Sequence, residues 1–250
     1  MAFNAVDPHR DVWFFEQVLI QSAVTFTLAF DRDLNEGCPY RVLVLAGQEC
    51  ISEEQVRFLE AFLQAGGGVV LVENSGTHDG WHRVRTETLT NVLRALADEV
   101  ETLENGVTQA RIGRGRVAIA PSIVATADDP LGPFDWKRPE NWKDLLEAVR
   151  WAAGGRLSVE VEAPPSFIVE VRRQTEPDRL LIHLLNFESV SPGPDLRVSV
   201  AIPEFARPAR CIELSPEKPE GREVHFESDD DGIAFVVSGV EKYRLVVIDG

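Results

Sequence analysis

A strand–helix–strand unit near the start of the chain constrains the fold more than any other feature of the sequence. Val42–Ala46 and Val69–Val72 are short apolar runs without a charge, the pattern of strands that are covered on both faces. Between them, Ser52 and Gln55 match a capping box, which predicts the first turn of a helix. Three glycines, residues 66–68, are expected to end that helix, because glycine adopts the left-handed conformation without a Cβ clash. Two parallel strands joined by a helix form a right-handed crossover, which indicates an α/β fold.

Patterns on either side extend this unit. The predicted helix carries one apolar face, made of Val56, Leu59, Phe62 and Leu63. Asp7–Pro8 is a helix-start pair, and apolar residues at helical spacing follow it to Ser22. The alternating run Val24–Phe30 predicts a strand. Later segments predict a helix over residues 86–98, an extended segment over 100–110, a strand over 116–120, a loop over 128–139 and a helix over 142–153.

From Arg156 onward, short alternating runs replace the helical patterns. These runs cover residues 157–162, 167–172, 180–186, 196–202, 211–214, 224–226, 233–237 and 243–248. Proline, glycine and aspartate turns separate them, which predicts an antiparallel β-sandwich. We therefore expect an α/β domain over residues 1–155 and a β-sandwich domain over residues 156–250.

The charge of the chain restricts its partners. Its formal net charge is −16, and a polyanionic surface repels nucleic acid and anionic membrane surfaces. No apolar run approaches the roughly 20 residues that a membrane span needs. The first residues lack the basic and apolar regions of a signal peptide, so we expect a cytoplasmic protein without a membrane partner. The three cysteines, Cys38, Cys50 and Cys211, form no CxxC pair, which argues against a disulfide framework and against a structural zinc site.

The densest polar cluster follows the second predicted strand and forms a candidate ligand loop. Its residues are Glu73, Asn74, His78, Asp79, Trp81 and His82. Open α/β sheets place ligands at the carboxyl ends of their strands, and two histidines with two carboxylates could hold a metal. The spacing matches no metal motif, however, so we favour a solvated loop and expect no metal and no cofactor. Trp81 in this loop and Trp136 in a later loop could instead stack on a sugar.

Cys50 is the alternative centre for chemistry. It lies just before a predicted helix, and a cysteine at a helix N-terminus can have a lowered pKa. A nucleophilic cysteine also needs a histidine base and an acidic residue that orients it. No tight elbow of small residues surrounds Cys50, so we favour a buried or incidental cysteine.

Several segments together resemble one protein family. The α/β part contains EQVLIQSAVTFTLAFDRDL, YRVLVLAGQECISEEQVRFLEAFLQAGGGVVLVENSGTHDGWHRVR, GRGRVAIAP and RPENWKDLLEAVRWAAGG. These segments resemble the β-galactosidase trimerisation domain of glycoside hydrolase family 42 and related bacterial glycosidases, a glutamine-amidotransferase-like α/β domain. The segments RLLIHLLNFE, VSVAIPE, CIELSPE and VEKYRLVVID are similar to the small β-sandwich that ends such proteins.

The resemblance implies a flavodoxin-like, mostly parallel sheet with flanking helices, followed by the sandwich. Family catalysis belongs to a (β/α)₈ barrel with two catalytic glutamates, and such a barrel needs about 250 residues of its own. No family catalytic residue can be placed on this chain. The family domain begins with a strand and this chain begins with a helical pattern, so we expect the first strand to be lacking.

Three functions follow as hypotheses. The first is a non-catalytic, glycosidase-associated module that forms a homo-oligomer, a trimer by the resemblance, or joins a separately encoded barrel. The second is a small hydrolase or amidotransferase that uses Cys50 or the loop from Glu73 to His82. The third is a carbohydrate-binding module. We favour the first and expect no glycoside hydrolysis by the isolated chain.

Overall fold

The computed structural model describes residues 10–34, 38–126, 137–188 and 192–250. Contacts divide the chain into two compact units. The first unit comprises Met1–Val18 and Thr27–Arg156, and the second comprises Leu19–Phe26 and Leu157–Gly250. The predicted helix start at Asp7–Pro8 lies outside the described residues, as does most of the predicted loop over 128–139.

The first unit contains a five-stranded mixed sheet. Strands β1 (Val42–Leu45), β2 (Gly68–Val72) and β5 (Gly115–Ala120) are parallel neighbours. Strands β4 (Thr108–Ile112) and β3 (Glu99–Thr102) continue the sheet antiparallel, in the order β1-β2-β5-β4-β3. The parallel crossover predicted from the sequence is therefore present. The extended segment predicted over residues 100–110 is a hairpin of two strands.

The described residues form four α-helices, α1 (Arg10–Gln21), α2 (Glu53–Gln64), α3 (Leu89–Leu96) and α4 (Trp142–Ala152). Helices α2 and α4 both pack on β2 and β5, and α3 packs on β4. Along β2, Val69 and Leu71 lie in a core cluster with residues of α2 and α3. The alternate residues Val70 and Val72 are also fully buried, so both faces of this strand are covered, as its charge-free run predicts.

Helix α2 begins as predicted. The Gln55 backbone N–H donates to Ser52 Oγ at 3.2 Å, and the Ser52 N–H donates to Gln55 Oε1 at 2.7 Å. Only one glycine of the run after the helix has the expected left-handed backbone, Gly66 with φ +106°. Close packing explains the other two, because a Cβ on Gly67 would lie 2.3 Å from the Phe62 ring and a Cβ on Gly68 would lie 2.2 Å from the Ala152 carbonyl oxygen.

The second unit is a β-sandwich of two antiparallel sheets. One sheet has the order β11-β10-β14-β8-β7 and the other β12-β13-β9-β6. The strands are β6 (Val159–Glu162), β7 (Phe167–Thr175), β8 (Asp178–Asn186), β9 (Leu196–Val200), β10 (Arg210–Ser215), β11 (Lys218–Glu223), β12 (Phe226–Ser228), β13 (Ile233–Val237) and β14 (Tyr243–Asp249). The sequence reading missed β11, because KPEGRE is polar and largely exposed and so lacks an apolar face.

The prediction of a strand over Val24–Phe30 is wrong. No strand is assigned there, and Phe26, Leu28 and Phe30 are 41%, 56% and 60% exposed. The Val24 N–H instead donates to the Leu19 carbonyl at 2.9 Å and closes the end of α1. Alternation makes a strand only when a neighbouring backbone pairs with it, and within the described ranges no backbone pairs with residues 25–29.

The helix predicted over residues 86–98 is shorter than expected. It begins after the cap residue Thr88, whose hydroxyl accepts from the Asn91 N–H at 3.3 Å, and it ends at Leu96. Leu89 and Leu93 are fully buried, whereas Leu96 is 47% exposed, so the apolar stripe ends one turn early. Across the described ranges, no helix has the length and apolar character that a membrane crossing requires.

Candidate functional site

The candidate ligand loop extends from the carboxyl end of β2 and is bonded to the loop that follows β1. The Gly76 N–H donates to the Gln48 carbonyl at 2.7 Å, and the His78 N–H donates to the Glu49 carbonyl at 2.9 Å. The Ile51 N–H donates back to the His78 carbonyl at 3.0 Å. Cys50 and His78 thus meet as a short parallel bridge, and the two loops form one folded layer.

Ser75 fixes the base of this layer from inside. It is fully buried, its hydroxyl donates to the Leu45 carbonyl at 2.7 Å, and it accepts from the Gly47 N–H at 3.1 Å. A buried hydroxyl that donates one hydrogen bond and accepts another is satisfied within the protein. Ser75 therefore has a structural role at the end of β1.

Asp79 organises the tip of the loop. One of its carboxylate oxygens accepts from the backbone N–H groups of Trp81 and Arg83, both at 2.9 Å. The other accepts from Arg83 Nε at 2.7 Å and lies 2.6 Å from Arg83 Nη2. The side-chain and backbone hydrogen bonds from Arg83 lower the pKa of Asp79 to about 2. Asp79 is thus a charged acceptor whose hydrogen bonds hold its own turn.

The two histidines meet each other. Their rings are stacked with centroids 4.8 Å apart and 26° between the planes, and Thr77 Oγ1 lies 3.0 Å from His78 Nδ1. His82 has a left-handed backbone, φ +60°. Among residues that the structure describes, no group of three histidine, cysteine or carboxylate side chains could hold a metal ion.

The remaining members of the predicted cluster do not converge on one point. Asn74 Nδ2 donates to Asp11 Oδ2 at 3.1 Å. Glu73 is exposed, and its N–H extends the sheet by donating to the Ala120 carbonyl at 3.0 Å. Trp81 is 83% exposed. Trp136 lies outside the described residues.

Cys50 lacks the activation that a nucleophile needs. Partial burial raises the pKa of its thiol, and the negative charges of Glu49 and Asp79 raise it further. The shift is opposite to the one that a helix N-terminus can give. Cys50, Cys38 and Cys211 are all free thiols, and burial raises the pKa of Cys211 to about 12.

The sequence reading missed Arg85, which anchors the loop. Its side chain is only 11% exposed, and its Nη1 lies 2.7 Å from Glu53 Oε1. Its Nη2 donates to the Ile51 carbonyl at 2.5 Å, and its Nε donates to the His78 carbonyl at 3.3 Å. No local pattern marks this residue, since its partners Ile51 and Glu53 lie in the segment before and within α2.

The sequence reading also missed a cleft at the amino ends of the parallel strands. This arginine cleft has a volume of about 680 Å³ and is lined by Arg41, Arg114 and Arg116 together with Tyr40, Phe58 and Phe62. Cys38 lies in the same lining. Arg41 is far from Arg114 and Arg116 in the sequence, so only the fold brings the three arginines together.

Solved structures of known proteins contain a similar fold. The sequence matches no protein-family model and no curated protein. The structure is similar to Gan42B, a GH42 β-galactosidase from G. stearothermophilus, with a TM-score of 0.60 and 13% identity over 99% of this chain and 37% of that one. It is also similar to a β-galactosidase from Bacillus circulans sp. alkalophilus, with a TM-score of 0.59 and 12% identity over 98% of this chain and 38% of that one.

A third similar structure is α-L-fucosidase isoenzyme 2 from Paenibacillus thiaminolyticus, with a TM-score of 0.59 and 16% identity over 93% of this chain and 44% of that one. The chain thus spans from 37% to 44% of the length of these three enzymes. Over nearly its whole length it has the fold of a part of the GH42 β-galactosidases, which confirms at the level of fold the family resemblance that its sequence segments indicate.

Proposed function

We propose that this chain is a non-catalytic, glycosidase-associated module that mediates assembly. The observation that carries the proposal is the coverage of the structural match, which takes in 99% of this chain but only 37% of a GH42 β-galactosidase. In that enzyme the matched fold is one part of a longer chain, from which we infer that the present chain acts together with a partner or with further copies of itself. In this proposal the chain forms a homo-oligomer, a trimer by the resemblance, or joins a separately encoded catalytic barrel in carbohydrate metabolism.

The chemistry of the candidate ligand loop supports an architectural role. The Asp79 carboxylate accepts three hydrogen bonds from its own turn. The Ser75 hydroxyl donates to the Leu45 carbonyl at the end of β1. The thiol of Cys50 has a raised pKa and so holds its proton at neutral pH. These groups build the loop, and the proposal assigns them no catalytic step.

The edge of the sheet supplies a surface for assembly. Strand β1 is the terminal strand of the sheet on its parallel side. An edge strand presents backbone N–H and carbonyl groups that can pair with another chain. We propose that the first contact between copies, or with a barrel subunit, involves this edge.

Size-exclusion chromatography with light scattering tests the proposal, with a nitrophenyl-β-galactoside assay on the same fractions. We expect one discrete oligomer with a mass that does not change on tenfold dilution, and no hydrolysis. A monomer at high concentration that also fails to bind a barrel subunit encoded beside it would contradict an assembly function. Hydrolysis that co-elutes with the chain would contradict a non-catalytic one, and Cys50→Ala and His78→Ala would then identify the group responsible.

One observation favours carbohydrate binding as the second candidate. The Trp81 indole is 83% exposed at the tip of a turn that Asp79 holds in place, and exposed aromatic rings can stack on sugars. Titration calorimetry with galactosides separates the two functions. Heat that is lost in Trp81→Ala but kept in Trp13→Ala would support binding, and no heat with the unsubstituted chain would remove this candidate.

A further inference from the structure

The arginine cleft places three cations at the carboxyl ends of two helices. Arg114 Nη2 donates to the Ala65 carbonyl at the end of α2 at 3.0 Å. Arg41 Nη2 donates to the Ala153 carbonyl at the end of α4 at 3.3 Å. Arg116 Nη1 donates to the Trp151 carbonyl at 3.5 Å, and its guanidinium lies 5.3 Å from the centre of the Trp151 ring. The guanidinium groups are therefore held in place before any ligand arrives.

The charges in this cleft do not cancel. A helix end carries about half a negative charge, so two helix ends offset about one of the three positive charges. The described residues that line the cleft include no aspartate or glutamate. None of the ion pairs formed within the described ranges involves Arg41, Arg114 or Arg116. Among the described residues of the cleft, about two positive charges thus remain, although the formal net charge of the chain is −16.

The guanidinium groups keep donors for a ligand. Each carries five N–H groups, and the helix carbonyls take one from Arg41, one from Arg116 and two from Arg114. The cleft also has an apolar wall. Phe58 and Phe62 form it, and their rings are stacked with centroids 5.9 Å apart. The volume of about 680 Å³ falls within the range of small-molecule sites, roughly 300 to 1,000 Å³.

We propose that the arginine cleft binds a small organic anion, a carboxylate or a phosphate ester, whose apolar part lies against Phe58 and Phe62. The planar guanidinium forms paired hydrogen bonds with both kinds of anion. A ligand with an anionic group and an apolar group would contact the arginines and the aromatic wall at the same time. This site is separate from the candidate ligand loop, which lies at the other end of the parallel strands, and it does not depend on the assembly function.

Titration calorimetry on the full chain tests the proposal with three probes of similar size: phenyl phosphate, benzoate and benzyl alcohol. We expect saturable binding of phenyl phosphate or benzoate, weakened by added salt, and no binding of benzyl alcohol. The tighter anion identifies the class of ligand. Absence of saturable heat with both anions would overturn the proposal, and so would equal binding of the neutral alcohol.

Substitutions locate the bound anion. The double variant Arg41→Gln with Arg114→Gln should bind the preferred anion at least about tenfold more weakly, because it removes two charge-assisted contacts. Arg57→Gln is the matched control, since Arg57 is exposed on α2 and outside the cleft lining. Ala61→Glu places a carboxylate on an exposed helix position that lines the cleft and should weaken binding without disturbing the helix. Equal affinity in all of these variants would overturn the assignment.

Two free thiols provide an internal control in the unsubstituted chain. Cys38 lines the cleft, whereas Cys50 is exposed near the candidate ligand loop. At an anion concentration ten times the dissociation constant, alkylation of Cys38 by iodoacetamide should slow about tenfold, and alkylation of Cys50 should stay unchanged. Unchanged rates at both thiols would place the anion elsewhere. A fall in oligomer mass in the double variant, without anion binding by the unsubstituted chain, would show that the cleft contacts a second copy instead.

Discussion

At the residue scale, Asp79 shows how a candidate ligand-binding residue can stabilise its own turn. Its sequence neighbours, two histidines and a tryptophan, suggested a site for chemistry, but its carboxylate accepts from Arg83 and from two backbone N–H groups of the same turn. These bonds lower the pKa of Asp79 to about 2. The folded pKa therefore lies below the ordinary value of about 3.9.

Asp79→Asn should loosen the loop without unfolding the chain. Amide hydrogen exchange of residues 77–85 should rise at pH 7, while exchange in β2 and β5 stays unchanged. Because the folded pKa is the lower one, the carboxylate stabilises the loop above about pH 4, and this effect is lost as pH falls towards 2. The unsubstituted loop should thus approach the variant's exchange behaviour only at acid pH. Glu101→Gln, on the exposed strand β3, is the control, and equal protection in Asp79→Asn at pH 7 would contradict this role.

At the scale of elements, the ends of α2 explain much of the local sequence. Its first turn is capped reciprocally by Ser52 and Gln55. Its last turn is followed by three glycines, each of which is needed for a different reason. Gly66 has a positive φ, Gly67 faces the Phe62 ring, and Gly68 faces the backbone of α4. The cap is a local device, whereas two of the three glycines are required by neighbours.

Ser52→Ala should lower the free energy of unfolding by about 1 kcal/mol, because a first-turn N–H of α2 loses its acceptor. Ser52→Gly should lower it by only a few tenths of a kcal/mol. Urea unfolding measures both variants against the unsubstituted chain. The order serine, glycine, alanine is the signature of a helix cap, and equal midpoints for the two variants would contradict it.

Gly68→Ala should lower the free energy of unfolding by at least about 2 kcal/mol, since the added Cβ would force β2 and α4 apart. The position has no positive φ, so packing alone is responsible. Gly239→Ala is the contrasting control, because φ is +64° there and nothing lies within 4 Å of the added Cβ. Its strain should remove only about 1 to 2 kcal/mol. Thermal unfolding that ranks the two variants in the opposite order would show that β2 and α4 can separate easily.

At the scale of the whole molecule, the chain contains two compact units, and the described residues form a core cluster in each. One core cluster joins the mixed sheet to α2 and α3. Another joins the two antiparallel sheets and includes Ala23 from the segment Leu19–Phe26. We propose that these units are the α/β and β-sandwich domains expected from the sequence, with the boundary near residue 155 and with that short segment added to the sandwich.

Substitutions in each core test this division. Leu59→Ala in α2 and Ile182→Ala in β8 remove side chains that are 2% and 0% exposed, and each should destabilise its unit by about 2 to 5 kcal/mol. Native-state hydrogen exchange should show faster opening in the strands of the substituted unit, with the strands of the other unit unchanged. Equal acceleration in both units would mean that they unfold together, which contradicts two domains.

The sequence by itself determined the elements whose information is local or periodic. The apolar runs of β1, β2 and β5, the cap of α2, the helix α4 and most sandwich strands follow from spacing and from turn residues, because these patterns report burial directly. The order of the segments also indicated the GH42-like fold that the structure shares. Tertiary structure decided whatever depends on a distant partner. Val24–Phe30 has the alternation of a strand but no described neighbour to pair with, and β11 is a strand although its sequence is polar. The candidate ligand loop follows β2, as its sequence indicates, and its Asp79 bonds are made within one turn. The contacts of Arg85 with Ile51 and Glu53, and the approach of Arg41 to Arg114 and Arg116, join residues far apart in sequence, which no periodicity can encode.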